Sequence, residues 1–231
     1  MTQTKKNTAV FLDRDGTINE EVGYLDSLDK LKLYDNAAEA VRLINESGMK
    51  AVVITNQSGV ARGLFTEDFV REVHEKIQEI LRLQGAFIDA FYYCPHHPTE
   101  GKGEYLMACP CRKPQPGMLI RAAQDLHIDL DRSYMVGDMM KDVEAARRIG
   151  AHGILVKTGY GENTLRENPD LIITEITSSI SPLYKSPCVP LLKKEELGES
   201  KEMSGTVIVA ADILDAAKWI VQDRQKKEMF A

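Results

Sequence analysis

The sequence has few aromatic residues and no long hydrophobic run, and each shortage argues against a class of protein. Aromatic residues make up 6% of the 231 residues, and they are not interleaved with Lys and Arg as in binders of single-stranded nucleic acid. No apolar run approaches the ~20 residues that cross a bilayer. Asp13 and Arg14 interrupt the early hydrophobic stretch, so we expect no signal peptide, no membrane partner and a cytoplasmic location.

The chain also lacks a strong charge of either sign. Its formal net charge of -6 at pH 7 argues against a dedicated nucleic-acid binder, although a local basic patch can occur on an acidic protein. With 43% apolar residues the chain can bury one sizeable core, but two independent domains would be cramped. We therefore predict a single domain over residues 1–231. The oligomeric state is open, and a monomer is the working expectation.

Cysteine is scarce, but its distribution is uneven. Four cysteines in an intracellular chain are typical of metal ligands or free thiols rather than of a disulfide framework. Three of them fall within eighteen residues and, with a histidine, form one Cys-x-His and one Cys-x-Cys pair: Cys94, His96, Cys109 and Cys111. This composition matches closed tetrahedral zinc sites, so we predict a structural Zn²⁺ in a loop over about 94–111. His97 is the rival ligand, a loop of free thiols is the alternative, and Cys188 is expected to be a free thiol.

Short apolar runs alternate with stretches of helical periodicity, which favours an α/β fold. Strands are predicted near 8–12, 50–54, 88–93, 134–136, 153–156 and 206–209, and helices near 36–48, 66–85, 116–126, 143–149 and 212–221. This alternation predicts a parallel sheet covered by helices on both faces. Four prolines and a charged run predict an irregular excursion over about 163–204.

Acidic residues follow two of the predicted strands at the same edge of the sheet. In FLDRDGTIN, Asp13 and Asp15 end the first strand, and residues two apart in a strand face the same way, so their carboxylates can converge. Ligands of open parallel sheets bind beyond the carboxyl ends of the strands. The stretch VGDMMKD brings Asp138 to that edge, with Asp142 one helical turn later. For Asp142, a helix cap or a solvated surface position is an equal alternative.

These carboxylates need positive charge nearby. Carboxylates gathered at one edge repel each other unless a cation neutralises them, and oxygen ligands of this kind favour Mg²⁺. Lys113, in the stretch CRKPQPG, is a second candidate counter-charge. Thr55 and Ser58, after the second strand, are either hydrogen-bonding groups of the same site or ordinary turn residues.

Four motifs occur in order and together resemble the haloacid dehalogenase superfamily of phosphatases. They are LDRDGTIN, ITNQSG, the lysine of RKP, and VGDMMKD. The resemblance implies a Rossmann-like three-layer fold and a catalytic set of Asp13 as nucleophile, Asp15 as acid and base, Thr55 and Lys113. It also implies that Mg²⁺ is bound by the side chains of Asp13 and Asp138 and by the backbone carbonyl of Asp15.

The paired cysteines, with GYLDS, TNQSGVARG and CxCRKPQPGM, narrow the resemblance to the branch of heptose bisphosphate and histidinol phosphate phosphatases. In that branch a zinc loop lies beside the active site in place of a large cap domain. The resemblance implies these substrate contacts: Arg14, Glu21, Val22, Gly23, Tyr24, Asn56, Gln57, Ser58 and Arg112. It also implies a lysine directly after Asp138, where this chain has Met139.

The expected function is therefore Mg²⁺-dependent hydrolysis of a small-molecule sugar phosphate in heptose metabolism. Histidinol phosphate is the alternative substrate, because the same catalytic residues serve it. A different class of function is a zinc-organised nucleic-acid-binding module that uses Arg62, Arg112 and Lys113. Converging carboxylates argue against that module, because they repel phosphate.

Overall fold

A parallel sheet organises the molecule. The computed structural model describes residues 6–176 and 206–229, and within them the sheet has seven strands in the order β3-β2-β1-β4-β5-β7-β6. The strands are β1 (Ala9–Leu12), β2 (Lys50–Asn56), β3 (Ala90–Cys94), β4 (Tyr134–Gly137), β5 (His152–Val156), β6 (Ile173–Ile176) and β7 (Val207–Ala210). All of the pairings are parallel, as the sequence pattern predicts.

Helices cover both faces of this sheet. They are α1 (Ala37–Glu46), α2 (Gly59–Arg62), α3 (Glu67–Leu83), α4 (Gly117–Asp125), α5 (Met140–Arg147), α6 (Gly161–Glu167) and α7 (Ile213–Met229). Along β1, Val10 and Leu12 pack with α1, α3 and α7, whereas Ala9 and Phe11 pack with α4 and α5. This alternation follows from the two-residue period of a strand, and it confirms the predicted three-layer α/β architecture.

The register of the central strands sets the position of the site. Leu12 at the end of β1 pairs with Val53 of β2 and with Val136 of β4. The residues that follow these three strands therefore emerge at one edge of the sheet. The peptide N–H of Asp13 extends the ladder by donating to the Val136 carbonyl at 2.9 Å.

The predicted irregular excursion over 163–204 was wrong for its first part. Residues up to Glu167 belong to α6, and β6 follows as an edge strand paired with β7. β6 was missed because it is four residues long and largely exposed, so it lacks the apolar pattern of a buried strand. The rest of the excursion, including Cys188, lies outside the described residues.

Two helix boundaries also differ from the prediction. α5 begins at Met140 rather than at Val143, because Asp142 accepts a hydrogen bond from the Met139 N–H and caps the first turn. α7 continues to Met229, eight residues beyond its predicted end at Val221. None of the helices in the described ranges is long and apolar enough to cross a membrane.

Candidate active site

Asp13 lies at the carboxyl end of β1 and faces a buried lysine. Its side chain is 7% exposed, and Oδ1 lies 2.9 Å from the Lys113 Nζ atom. The same oxygen accepts a hydrogen bond from the Arg14 N–H at 2.8 Å. These two contacts fix the orientation of the Asp13 carboxylate.

Lys113 is held from three sides. Its fully buried ammonium donates to the Ile54 carbonyl at 2.7 Å and forms ion pairs with Asp13 and with Asp142 Oδ1, the latter at 2.7 Å. Burial alone would lower the pKa of Lys113, but the charges of Asp13 and Asp142 outweigh it and raise the pKa, so the side chain stays cationic. Asn56 fixes the backbone of Lys113 by accepting from its N–H and donating to its carbonyl, at 3.0 and 3.1 Å.

Asp142 belongs to the site rather than to the surface. Its side chain is fully buried, and it pairs with Lys113 while capping α5. Gly137 makes room for it, since a Cβ at that position would lie 2.4 Å from the Asp142 carboxyl group. Asp142 therefore caps α5, as one of the alternatives from the sequence proposed. The same carboxylate also anchors Lys113, so it contributes to the site as well.

Asp138 follows β4, and two glycines pack against its carboxylate. A Cβ on Gly16 or on Gly159 would lie 2.1 or 2.3 Å from Asp138 Oδ2, and both glycines have positive φ angles, of 76° and 56°. The Tyr160 N–H donates to the same oxygen at 2.8 Å. Burial, and then the nearby charges of Asp13 and Asp142, raise the pKa of Asp138 to about 8.

Asp15 lines the same cavity as Asp13 but lies outside the cluster of closely spaced carboxylates. The cluster whose carboxylate oxygens lie within 4.8 Å of one another consists of Asp13, Asp138 and Asp142. The Asp15 carboxylate instead accepts hydrogen bonds from the Arg14 guanidinium (2.7 to 3.1 Å), from Asn19 and from Gln57 (both 2.9 Å). Burial raises the pKa of Asp15, but Arg14 and these hydrogen bonds outweigh it and lower the pKa. The side chain is 23% exposed.

Thr55 and Gln57 connect the end of β2 to Asp15. Gln57 Nε2 donates to Thr55 Oγ1 at 2.8 Å and to Asp15, while its Oε1 accepts from Arg14 at 3.1 Å. Arg14, predicted as a substrate contact, is 2% exposed and uses its guanidinium on Asp15 and Gln57. Its contribution to the site is therefore to hold Asp15.

A cavity of about 150 Å³ is lined by Asp13, Arg14, Asp15, Thr55, Gln57 and Asp138, whereas Lys113 and Asp142 are fully buried. All predicted substrate-contact residues line it except Val22, which is 42% exposed. The wall also includes residues that sequence reasoning missed as contacts: Leu25, Gly59, Phe65, Met139, Lys141 and Tyr160. Tyr160 follows β5, so the strand-end rule that selected Thr55 could have found it. Lys141 was not predicted, because it lies in the sequence between Asp138 and Asp142, which drew attention to the acidic residues of that motif.

A larger open hollow of about 540 Å³ lies elsewhere, between the end of α3 and the start of β3. Its lining has one acidic and one basic side chain, Asp89 and Arg82. Gln78 within it is bonded to both backbone groups of Ile88, at 2.8 and 2.9 Å. The hollow contains neither of the metal-ligand clusters found in the described chain, so the smaller acidic cavity is the candidate site.

The acidic cluster fits a divalent cation. A buried Asp138 with a pKa of about 8 shows that the three carboxylates resist ionising together without further positive charge. Lys113 pairs with both Asp13 and Asp142, but only Asp13 and Asp138 line the cavity, so their side chains are accessible to a metal. Carboxylate oxygens of this kind suit Mg²⁺.

The four zinc-ligand candidates converge at the end of β3 and in the loop that follows it. The sulfur atoms of Cys94, Cys109 and Cys111 lie 2.8 to 3.3 Å from one another, and His96 Nδ1 lies 3.7 Å from the Cys94 sulfur and 3.5 Å from that of Cys111. Side-chain hydrogen bonding with Cys94, and then with Cys109 and His96, outweighs burial and lowers the pKa of Cys111 to about 5. His97 lies outside this group: its Nδ1 accepts from the Thr99 and Glu100 N–H groups. Three thiols and one imidazole are a donor set that suits Zn²⁺.

This cysteine cluster is directly connected to the cavity. Cys111 precedes Arg112, whose Nη1 donates to the His96 carbonyl at 3.2 Å, and Arg112 lines the cavity wall. Tyr105 in the same loop donates to Glu67 at 2.8 Å, and Tyr93 of β3 also donates to Glu67 at 2.5 Å. The loop is thus tied to α3 on one side and to the cavity on the other.

Comparisons with known proteins agree with this geometry. A family model described as HAD-hydrolase-like matches residues 110–179. The D-glycero-beta-D-manno-heptose-1,7-bisphosphate 7-phosphatase of Pasteurella multocida is 47% identical over 154 residues, which cover 65% of this chain and 82% of that protein. The protein of the same name from Escherichia coli K12 is 45% identical over 157 residues, covering 67% of this chain and 82% of that protein.

A solved structure extends the similarity over nearly the whole chain. It is the D,D-heptose 1,7-bisphosphate phosphatase of B. bronchiseptica, complexed with magnesium and phosphate. Its TM-score is 0.70 at 29% identity, with 94% of this chain and 99% of that chain covered. Motifs, fold and relatives agree: this chain belongs to the haloacid dehalogenase-like hydrolase family.

Proposed function

We propose that this protein is a Mg²⁺-dependent phosphatase that removes the 7-phosphate from D-glycero-D-manno-heptose 1,7-bisphosphate. The observation that supports it best is the oriented Asp13 carboxylate, 2.9 Å from the buried Lys113 ammonium at the carboxyl edge of the sheet. A carboxylate is a competent nucleophile in covalent phosphoryl transfer, so the site supports the reaction class. The relatives at 45% and 47% identity carry this substrate in their names.

Asp13 is the proposed nucleophile. Its carboxylate attacks phosphorus, an aspartyl-phosphate forms, and the bond between phosphorus and the sugar oxygen breaks. Lys113 holds the attacking group in place, and Thr55, 1% exposed on the cavity wall, supplies a hydroxyl to the phosphoryl oxygens. Mg²⁺ would be held by the side chains of Asp13 and Asp138 and by the Asp15 carbonyl, and it would supply positive charge that neutralises the transferring group.

Asp15 is the proposed proton carrier. It gives a proton to the departing sugar oxygen and later takes one from the water that hydrolyses the aspartyl-phosphate. The lowered pKa of Asp15 in the free protein suits the second step, in which it acts as a base. A phosphate dianion bound beside it raises that pKa by like-charge repulsion, which suits the first step.

We also propose that Zn²⁺ is bound by Cys94, His96, Cys109 and Cys111 and has a structural role. Four protein ligands leave no open coordination position for chemistry. Since Cys111 is adjacent to Arg112 and Lys113 in the chain, the metal would fix the segment that presents both cations.

A phosphate-release assay tests the proposed function. Purified protein with Mg²⁺ is given both anomers of the heptose bisphosphate and, separately, histidinol phosphate. We expect kcat/KM to be much higher for one of the heptose anomers than for histidinol phosphate. The opposite order would assign the enzyme to histidinol phosphate.

The Asp13→Asn variant separates an enzyme from a nucleic-acid-binding module. It keeps the size of the side chain but removes the nucleophile, so phosphate release should vanish while the fold is retained. Nucleic-acid binding that survives this substitution, in a protein without phosphatase activity, would support the module instead.

A further inference from the structure

Two cationic side chains of the cavity wall remain after those committed to the catalytic groups are set aside. The wall has three cationic residues, Arg14, Arg112 and Lys141, and Arg14 is bonded to Asp15 and Gln57, which leaves Arg112 and Lys141. We propose that Lys141 binds the phosphate that stays on the sugar and thereby makes the enzyme selective for bisphosphates. This inference rests on the proposed function.

Lys141 is the cation of the wall with its donors available. Within residues 6–176 and 206–229 its ammonium forms no salt bridge or hydrogen bond with another side chain. Arg112, in contrast, already donates to the His96 carbonyl. A partly exposed ammonium with unused donors can approach a phosphate without first breaking a bond inside the protein.

The surrounding charges explain why the cavity needs this cation. Asp13, Asp15, Glu21 and Asp138 all line the wall, and a second phosphate dianion would meet repulsion from them. Burial and the charges of Asp15 and Asp13 raise the pKa of Glu21, and the positive charge of Lys141 acts in the opposite direction. Lys141 and Glu21 line the same cavity, so a positive charge is present beside the acidic side of the wall.

Lys141 and Lys113 differ in position, because Lys113 is fully buried against Asp13 whereas Lys141 lies half-buried on the cavity wall. That phosphate lies against Asp13, where Lys113 supplies the buried positive charge. Lys141 lies in the first turn of α5, on the wall beside Met139, whose thioether cannot bind a phosphate by charge. On this proposal Lys113 acts on the reacting phosphate through Asp13, and Lys141 binds the phosphate that remains.

The test compares substrates that differ only in the second phosphate. Wild type, Lys141→Met and Lys141→Arg are assayed on the heptose 1,7-bisphosphate and on the heptose 7-phosphate, with p-nitrophenyl phosphate as a third substrate. For Lys141→Met we expect kcat/KM on the bisphosphate to fall by about 10- to 100-fold, mainly through KM, because a hydrogen-bonded charge pair is lost. Activity on the two monophosphates should change less than about twofold, and Lys141→Arg should recover most of the loss.

Lys218→Met is the matched control, because it removes a lysine from α7, away from the cavity. It should leave all three activities unchanged. The product heptose 1-phosphate should inhibit wild type more strongly than Lys141→Met. Equal losses on all substrates would overturn the inference by placing Lys141 at the reacting phosphate, and no loss on any of them would overturn it as well.

Failure of the proposed function is visible separately, in the wild-type protein alone. Wild type that does not hydrolyse the bisphosphate would overturn the proposed function and, with it, the role of Lys141. Wild type that hydrolyses bisphosphate and 7-phosphate equally well would overturn the selectivity inference and leave the phosphatase intact.

Discussion

At the scale of single residues, the site depends on one buried lysine that neutralises two buried carboxylates. Asp13 and Asp142 both face the Lys113 ammonium, at 2.9 and 2.7 Å. The sequence predicted the acid, the lysine and their common edge of the sheet. It paired Asp13 with Asp15, because strand periodicity alone ignores the Arg14 guanidinium that binds the Asp15 carboxylate.

Removing the charge of Asp142 should weaken both activity and stability. Asp142→Asn leaves the buried Lys113 with one carboxylate partner instead of two, so we expect the free energy of unfolding to fall by about 3 kcal/mol. Urea unfolding measures this, and kcat should fall more than tenfold because Lys113 is no longer fixed. Glu144→Gln, on the same helix, is the control and should change stability by less than ~0.5 kcal/mol. A stable and fully active Asp142→Asn protein would contradict the role of this pair.

His74 gives a separate prediction about pH. It is buried against Phe91, with ring centroids 4.7 Å apart, and burial lowers its pKa from 6.5 to about 3. The unfolded state therefore binds the proton more readily than the folded state between pH 6.5 and 3. The contribution of neutral His74 to the free energy of unfolding is therefore fully present above pH 6.5, and it is lost progressively as the pH falls through this window.

The His74→Phe variant isolates this effect, because phenylalanine does not titrate. Between pH 7.5 and 5 the wild type should lose roughly 2 kcal/mol more unfolding free energy than the variant. Urea unfolding at the two pH values measures the difference. Identical pH dependence in the two proteins would show that His74 is protonated as easily in the fold as in the unfolded chain.

At the scale of elements, the sequence predicted those features whose signal is local in the chain. The pairs Cys94–His96 and Cys109–Cys111 were predictable because ligand spacing is local in sequence. The strand β6 was not, because an exposed four-residue edge strand has no apolar signature. Lys141 enters the cavity through the packing of α5, which no local pattern encodes.

Removal of zinc should loosen the loop and lower activity. A colorimetric zinc assay should give about one metal per chain, and Cys111→Ser should lower that content. The zinc-free protein should show faster proteolysis within 94–111 and weaker activity, because Arg112 and Lys113 lose their fixed support. Cys188→Ser is the control and should keep its zinc. Full activity in a verified zinc-free sample would contradict a supporting role for the loop.

At the scale of the whole molecule, the parallel sheet gathers the site. Asp13, Thr55 and Asp138 come from three strands that are distant in sequence but adjacent in the order β2-β1-β4. The sequence predicted this convergence because parallel strands end at one edge. It could not predict the whole cavity wall, since Phe65 and Lys141 meet there only through tertiary packing.

The most direct test of the account is to trap the phosphorylated carboxylate. The enzyme is mixed with Mg²⁺ and the heptose 1,7-bisphosphate, quenched, reduced with borohydride and analysed by peptide mass spectrometry. We predict that the reduced residue is at position 13 in the wild type and that Asp13→Asn gives neither this product nor phosphate release. Reduction at another carboxylate, or phosphate release by Asp13→Asn at the wild-type rate, would contradict the account.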